Sequence, residues 1–499
     1  MEIPSRHKRE LRRKLQCAML AAAVIALHSR SVAAHDLLLR YDLPIPFGLY
    51  LYVCAAVVVA TFALFAWFMR MPRGGPAARA PDTEARKAIA RLPRWTLTLL
   101  RAVALGCFVL TVGAALFATR DPDRNISLTL FWQFFLLGLT YATALIGNVY
   151  EFTNPWKTLV EWTQRSKGAL PRPRFAYPRA LGYWPAVILY VALVWFELFS
   201  FPRPRALGIA LIVYSLIVFA GVWFFGKAAW FRYGEVFAVF LRIVGMLAPV
   251  AYRPTPDGKS FNAYARPPFV GTLEERAESI GLVVFVLFML ASTTYDGMHQ
   301  TIFWMGLYYN HLLALLHPLW GTDLLAAQVM LEKWYVVYQR IGLVLFPFFY
   351  LAVYLAILRL VKLVTGTSIP VRTLALEFAF SIVPIAFVYN LAHYFTLVLL
   401  RIPALPFLLT DPFGLGWNPF GFDYPGGEPP TLDMAFVWHT EVALILIGHV
   451  ISVYVAHRVA LRLFSSRREA MLSQLPMLML MVAYTVLGLW VISLPFALI

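Results

Sequence analysis

The sequence predicts an all-α fold, a polytopic transmembrane helical bundle of about ten spans that follows a cleavable signal peptide. Of its 499 residues, 60% are hydrophobic and 14% are charged, whereas a soluble domain has about 45–50% apolar and 25% charged residues. Ten later apolar runs are each long enough to cross a bilayer, at about 20 residues per span. The segments between these runs alternate between strongly and weakly basic, as the positive-inside rule requires.

The first 34 residues have the three parts of a secretory signal. Six Lys and Arg residues come first, the apolar stretch 17–27 is too short to span a bilayer, and small residues follow at 31–34. Cleavage after Ala34 leaves His35 at the N-terminus, where its amino group and imidazole can chelate one metal ion. The plainer alternative is that His35 merely follows the cleavage site. Residues 35–499 are predicted to form a single transmembrane domain.

The charges of the loops predict which side of the membrane each loop faces. The predicted spans are 47–68, 99–118, 128–147, 183–201, 206–226, 280–298, 335–358, 374–400, 437–457 and 475–497. The strongly basic loops, predicted to face inward, are 69–98, 148–182, 227–279, 359–373 and 458–474. Both ends of the mature chain are then outside, together with the long loops 299–334 and 401–436. The net charge of +17 follows from this loop pattern, so the predicted partner is the lipid bilayer and not nucleic acid.

Ionisable residues within apolar spans are costly to bury, so they are candidates for function. Seven of the ten histidines fall on the predicted outer side. Asp296 and His299 are three residues apart at the outer end of the sixth span, where a continuing helix places both on one face. Asn390 and His393 have the same spacing in the eighth span. A helix end with solvated polar residues, or a structural histidine, is the alternative for each pair.

The ninth span contributes His439, Glu441 and His449. The two histidines are about 15 Å apart along a helix and cannot bind one ion, so the shallower His439 is favoured as a ligand. His449 then supports the packing of the site or relays a proton, and Asn390 is expected to support the site beside His393. Glu441 lies about 200° round the helix from His439, which makes it the weaker partner for that histidine.

The predicted topology allows five residues to converge at one depth near the outer face. They are His35, Asp296, His299, His393 and His439. Nitrogen ligands with a carboxylate are typical of a divalent metal site, and they suit zinc, copper, manganese or iron equally well. The sequence therefore predicts a metal ion of unspecified identity at this face.

Short motifs elsewhere in the mature chain carry a family resemblance. They are His35-Asp36, Asp42 to Pro46, Tyr295 to Gly297, Val383 to Ile385, Ala392 to Phe395, Asp411 to Gly414, Gly448 to Val450 and Ala456 to Arg458. In these motifs the chain resembles bacterial membrane proteins known as fenitrothion hydrolases, which degrade organophosphates. His299 and His439 lie outside the matched motifs, so their roles rest on the predicted topology. Together with the loop charges, the resemblance implies the bacterial inner membrane, with both termini on the periplasmic side.

The resemblance implies hydrolysis of lipophilic organophosphate triesters of the fenitrothion or parathion type. A metal would polarise the phosphoryl group and lower the pKa of a bound water. Asp296, or in second place Glu441, would accept the proton as the catalytic residue. Such substrates are neutral and partition into the bilayer, which is a physical reason for a hydrolytic site at membrane depth.

Two other classes of function stay open. The first is a metal-handling protein or transporter, in which the outer histidines receive the ion and Glu197, Glu377 and Glu441 belong to its pathway. The second is a haem-binding membrane protein with His393 and His449 as axial ligands. Metal uptake into vesicles separates the first from an enzyme, and a Soret band identifies the second.

Overall fold

The structure, a computed structural model, describes residues 46–68, 88–167, 173–200, 203–258, 260–312, 324–422 and 432–494. Its regular structure is almost entirely helical, which confirms the predicted all-α polytopic bundle. The predicted signal peptide at 1–34 and the candidate ligand His35 lie outside the described residues.

Ten helices correspond one to one to the predicted spans. They are α1 (Phe47–Phe68), α2 (Arg94–Phe117), α3 (Ile126–Ile146), α4 (Trp184–Phe199), α5 (Pro204–Phe225), α6 (Ile280–His299), α7 (Leu324–Thr365), α8 (Val371–His393), α9 (Met434–Leu463) and α10 (Arg467–Ile492). Within the described residues, nine of these are long and apolar enough to cross a membrane. The exception is α4, whose 16 residues extend about 24 Å against a hydrocarbon core of about 30 Å. The fold is that of a multi-pass membrane protein.

Helix α6 is enclosed by other helices, and every residue from Gly281 to His299 is buried. It packs against α4, α7, α8 and α10. Ser279 caps its first turn by accepting a hydrogen bond from the N–H of Leu282. Because its last turns lie inside the protein and not in lipid, neighbouring helices can satisfy the polar side chains there.

Two helices near α6 depart from regular α-helical geometry. Helix α8 contains a 3-10 turn at Ala379–Ile382, shortly before Pro384. Proline has no N–H to donate to the carbonyl four residues earlier, so the α-helical hydrogen bonding is interrupted there. Helix α3 contains a π-helical segment at Thr129–Gly138, a wider helical turn that is frequent at functional sites. Both helices also contribute to the candidate site described below.

The loops predicted to face inward contain a small sheet that the sequence analysis did not predict. In the described part of the chain its strands are β1 (Ala90–Leu92), β2 (Val250–Pro254) and β3 (Phe261–Ala265). They pair antiparallel in the order β1-β3-β2, with Ala90 opposite Ala263. The sheet joins the segment before α2 to the segment between α5 and α6.

Shorter helices complete the two ends of the bundle. At the predicted inner end they are Tyr150–Thr153, Pro155–Lys167, Lys227–Ala229, Trp230–Gly234, Val236–Gly245 and Gly271–Glu274. At the predicted outer end they are Ile302–Gly306, Leu307–Leu312, Phe395–Arg401, Ile402–Ala404 and Leu405–Thr410. The segments at Trp230–Gly234 and Leu307–Leu312 are π-helical.

Candidate functional site

Asp296 and His393, both predicted for the site, are in direct contact. Oδ2 of Asp296 lies 2.8 Å from Nε2 of His393. Asp296 is in the last turn of α6, where 4% of its side chain is exposed, and His393 ends α8 with 14% exposed. In a neutral imidazole paired this way, Nε2 carries the hydrogen that is donated to Asp296. Nδ1 is then the basic nitrogen of His393.

Tyr394 and Glu197 complete a cluster of four residues, named here the outer cluster. The hydroxyl oxygen of Tyr394 lies 3.0 Å from Oδ2 of Asp296 and 2.8 Å from Oε1 of Glu197 on α4. A tyrosine hydroxyl has one hydrogen, so it cannot donate to both carboxylates at once. Both contacts are hydrogen bonds when one carboxyl group is itself protonated and donates to the tyrosine oxygen. The outer cluster is therefore suited to hold one shared proton.

The end of α8 explains why adjacent residues reach different helices. Tyr394 leaves the α-helical conformation at φ −92° and ψ 4°, and its N–H donates to the carbonyl of Asn390. The rings of His393 and Tyr394 then stand edge to face, with centroids 4.8 Å apart and planes at 83°. His393 contacts α6, and Tyr394 contacts both α6 and α4. This helix end thus joins the two acidic residues.

A small cavity adjoins the carboxyl groups of the outer cluster. Its volume is about 40 Å³, and Glu197, Asp296, Asn390 and Tyr394 contribute to its polar lining. Most of the remaining lining is apolar and comes from α3, α4 and the Val236–Gly245 helix. A water molecule needs about 10–15 Å³ of such space, so water fits beside the carboxyl groups. Asn390 was predicted to support the site, and the structure places it at this cavity.

The side of His393 that bears Nδ1 lies next to Gly297. A Cβ atom on Gly297 would be 3.5 Å from Cε1 and 3.6 Å from Nδ1 of the imidazole. Within the described residues, no group forms a hydrogen bond with Nδ1. Nδ1 is therefore the imidazole nitrogen left to accept a proton, and Gly297 and Val491 pack closely on this side of the ring.

Gly297→Ala is expected to destabilise the protein, because the new Cβ would lie 2.8 Å from Cγ1 of Val491 on α10. The ends of α6 and α10 must then move apart, at a cost of about 1–3 kcal/mol in the free energy of unfolding. Gly113→Ala in α2 is the control, since its Cβ would meet nothing within 4 Å. Thermal unfolding in one detergent should show a lower Tm for Gly297→Ala and no loss for Gly113→Ala. An unchanged Tm for Gly297→Ala would contradict this packing.

Two other histidines predicted as ligands have separate partners. Nδ1 of His299 lies 2.9 Å from the backbone carbonyl oxygen of Asp296, and its ring stacks on Tyr295. His439 is exposed and contacts the hydroxyl of Tyr50 on α1 through Nε2. In the described structure, no hydrogen bond joins His439 to the outer cluster.

The remaining predicted residues lie on α9. Thr396 donates to Oε1 of Glu441 at 3.3 Å, and Glu441 is buried. Nδ1 of His449 lies 2.8 Å from the carbonyl oxygen of Ile445. Among the described residues, Nε2 of His449 has no hydrogen-bond partner. His449 thus packs within the bundle and forms no hydrogen bond with His393.

The predicted metal ligands do not gather into one group among the described residues. Among these residues, no group of three or more His, Cys, Asp or Glu side chains is placed to hold a metal ion. Asp296 and His393 pair through their side chains, whereas His299 bonds the backbone carbonyl of Asp296 and His439 contacts Tyr50. The predicted chelate of His35 lies outside the described residues, so a metal centre that includes it stays a prediction.

Two members of the outer cluster were not predicted as site residues. Glu197 was expected only in the pathway of a transporter, and Tyr394 only as part of a family motif. An acid within an apolar segment is itself a signal of function, and this signal would have identified Glu197. Tyr394 carries no comparable signal, because tyrosine is frequent throughout the chain.

Comparison with known proteins identifies no relative of this chain. No family model, no curated protein and no solved structure matches it. The geometry of the outer cluster is therefore the structural basis for a proposed function.

Proposed function

We propose that the chain is a membrane-embedded hydrolase of neutral, lipophilic organophosphate triesters, the reaction that its resemblance to fenitrothion hydrolases implies. The observation that carries the proposal is the partly buried hydrogen bond of 2.8 Å between Asp296 and His393. A carboxylate bonded to one imidazole nitrogen fixes the tautomer and orients the other nitrogen as a general base. His393, with Nδ1 available, then accepts the proton that the sequence analysis assigned to Asp296.

In the proposed reaction, Nδ1 of His393 accepts a proton from water as the water oxygen bonds to phosphorus. The bond between phosphorus and the aryl oxygen breaks, and its electron pair leaves with the aryloxide. Asp296 stabilises the imidazolium that forms. The imidazolium then transfers its proton to the aryloxide or to solvent, which restores neutral His393.

Glu197 and Tyr394 act as positioning residues in this proposal. The Tyr394 hydroxyl contacts the same carboxylate oxygen of Asp296 that pairs with His393, and so limits the rotation of that carboxylate. The cavity of about 40 Å³ is large enough for water but far smaller than typical ligand pockets of about 300–1,000 Å³. We therefore propose that the triester reaches His393 only when the helices that enclose the site move apart.

The proposal keeps the orientation predicted from the loop charges, with the outer cluster at the periplasmic side of a bacterial inner membrane. Triesters that partition into the bilayer would reach this depth without crossing the membrane. A divalent metal ion held with the help of His35 is a separate part of the proposal, and the steps above do not depend on it.

The proposal is tested by nitrophenol release from fenitrothion. Washed membranes that contain the full chain should hydrolyse it faster than membranes that lack the chain. The assay is repeated after chelation of divalent metal. Loss of turnover would support a required metal ion, and retained turnover would support catalysis by the outer cluster alone. If the intact, inserted chain supplied with divalent metal gives no turnover above the blank, the hydrolase proposal fails for this substrate.

A metal-handling protein or transporter is the second candidate, and the arrangement of Glu197 and Asp296 around Tyr394 favours it. A cation that enters the cavity would displace the shared proton, which couples ion binding to proton release. The other pathway acids have partners elsewhere, since Glu377 pairs with Arg276 at 3.1 Å and Glu441 accepts from Thr396. Metal-dependent proton release from proteoliposomes, without any hydrolysis of fenitrothion, would favour this candidate.

A haem protein is the least favoured candidate because of the packing between α8 and α9. A Cβ on Gly448 would lie 2.0 Å from Cγ2 of Val388, so the two helices touch one residue away from His449. That contact leaves no room for a porphyrin between them at this level. A Soret band in the purified protein would contradict this reading.

A further inference from the structure

A larger cavity lies at the opposite end of α6 from Asp296. Its volume is about 870 Å³, and its lining comes from α2, the short inner-end helices and the β2–β3 hairpin. Arg232, in the lining, pairs at 2.6 Å with Glu278, which lies two residues before α6. The volume is within the range of about 300–1,000 Å³ that is typical of small-molecule sites.

The charges that line this inner cavity are unbalanced. Its lining contains five basic residues, Arg101, Lys157, Lys227, Arg232 and Arg242, and two acidic residues, Glu151 and Glu161. Glu161 is shared by two of the cations, Arg101 at 3.2 Å and Lys227 at 3.3 Å. Lys157 pairs with Glu151 at 2.7 Å. Even with Glu278 counted, the basic residues outnumber the acidic ones, and an anion would reduce their mutual repulsion.

Among the described basic residues of the cavity, Arg242 most clearly lacks a hydrogen-bond acceptor for one of its donors. Its Nη2 donates to the hydroxyl of Tyr183 at 2.9 Å, and its guanidinium lies over the ring of that tyrosine. Nε is buried and has no hydrogen-bond partner among the described residues. A buried donor without an acceptor is costly, and Arg242 is one of the residues that line the cavity.

Glu235 does not supply the missing negative charge. This buried residue accepts hydrogen bonds from the side chain of Asn154, the hydroxyl of Tyr214 and the backbone N–H groups of Phe237 and Ala238. Its carboxylate is therefore occupied by donors other than the basic residues of the cavity.

We propose that the inner cavity binds a phosphate-bearing anion. Arg and Lys donate charge-assisted hydrogen bonds to phosphate oxygens, and several such donors converge here. The phosphate belongs either to a soluble anion or to the headgroup of an anionic lipid, which is enriched at a membrane face with basic loops. This site is independent of the hydrolysis proposed at the outer cluster.

The two sources are distinguished with the purified full chain. Inorganic pyrophosphate is added to the protein in a zwitterionic detergent, and separately the protein is placed in nanodiscs of phosphatidylcholine with or without phosphatidylglycerol. Thermal unfolding reports stabilisation, and native mass spectrometry reports retained lipid. Stabilisation by pyrophosphate identifies a soluble anion, and retention of phosphatidylglycerol identifies a lipid headgroup. If neither response is observed, the proposal is overturned.

Variants assign the response to the cavity. Lys227→Gln and Arg242→Gln should each weaken binding by about tenfold in Kd, the loss expected for one charge-assisted hydrogen bond. Lys227→Gln is the safer variant, because Arg242 also packs on Tyr183. Arg372→Gln removes the same charge from an exposed position in another predicted inner loop and should leave Kd unchanged. Equal losses in Lys227→Gln and Arg372→Gln would mean general surface electrostatics and would overturn the proposed site.

Discussion

His393→Gln should lower the rate of fenitrothion hydrolysis by about 10²–10⁴-fold, the usual contribution of a general base. Glutamine retains an N–H group that can donate to Asp296, but it has no basic nitrogen to take the place of Nδ1. The outer cluster therefore keeps its main contact while losing its proton acceptor. The effect should fall on kcat more than on KM, and it is measured in washed membranes that contain equal amounts of inserted protein.

His311→Gln is the matched control, because His311 is an exposed histidine at the same predicted face. It should retain wild-type turnover. His439→Gln tests the predicted metal centre separately: a loss equal to that of His393→Gln would support His439 as a ligand, and full activity would leave catalysis to the outer cluster. Wild-type turnover in His393→Gln would exclude this histidine as the base.

The positions of the helices follow from hydropathy because lipid imposes a simple rule. A segment that crosses the bilayer must satisfy its backbone internally and cover about 30 Å, so apolar runs of about 20 residues become helices. The predicted run 280–298 and helix α6, Ile280–His299, differ by one residue. The three-stranded sheet was not predicted, because strands of three to five residues within polar loops have too few residues to show periodicity.

The outer cluster could be predicted only in part. Asp296 and His393 were predicted at one depth near the outer face, so their proximity was expected, but depth alone does not set which helices are neighbours. The pairing depends on α8 packing directly against α6. Glu197 joins the cluster because the short helix α4 ends beside them, and the length of α4 was not apparent from its apolar run.

Tyr394→Phe is expected to lower the free energy of unfolding by about 1–3 kcal/mol, the cost of leaving a buried polar group without its partner. The Tyr394 hydroxyl is the shared partner of Glu197 and Asp296, so its removal leaves two acidic groups facing each other. Thermal or denaturant unfolding in a single detergent measures the loss. Tyr190→Phe is the control: it removes a hydroxyl from the same cavity, but that hydroxyl contacts only the neutral Ser292 at 3.4 Å.

Glu197→Gln decides whether the two acids share a proton through Tyr394. If they do, removing the carboxyl group of Glu197 reduces the repulsion between the two acids that Tyr394→Phe exposes. The double variant that combines both substitutions should then lose less free energy of unfolding than the sum of the two single losses. Groups in one hydrogen-bonded network typically show such coupling energies of about 0.5–3 kcal/mol. Strictly additive losses would mean that Glu197 and Asp296 act independently and that no proton is shared. A coupled result supports a shared proton in the outer cluster, which the ion-coupled candidate requires, and the fenitrothion assay then tests hydrolysis separately.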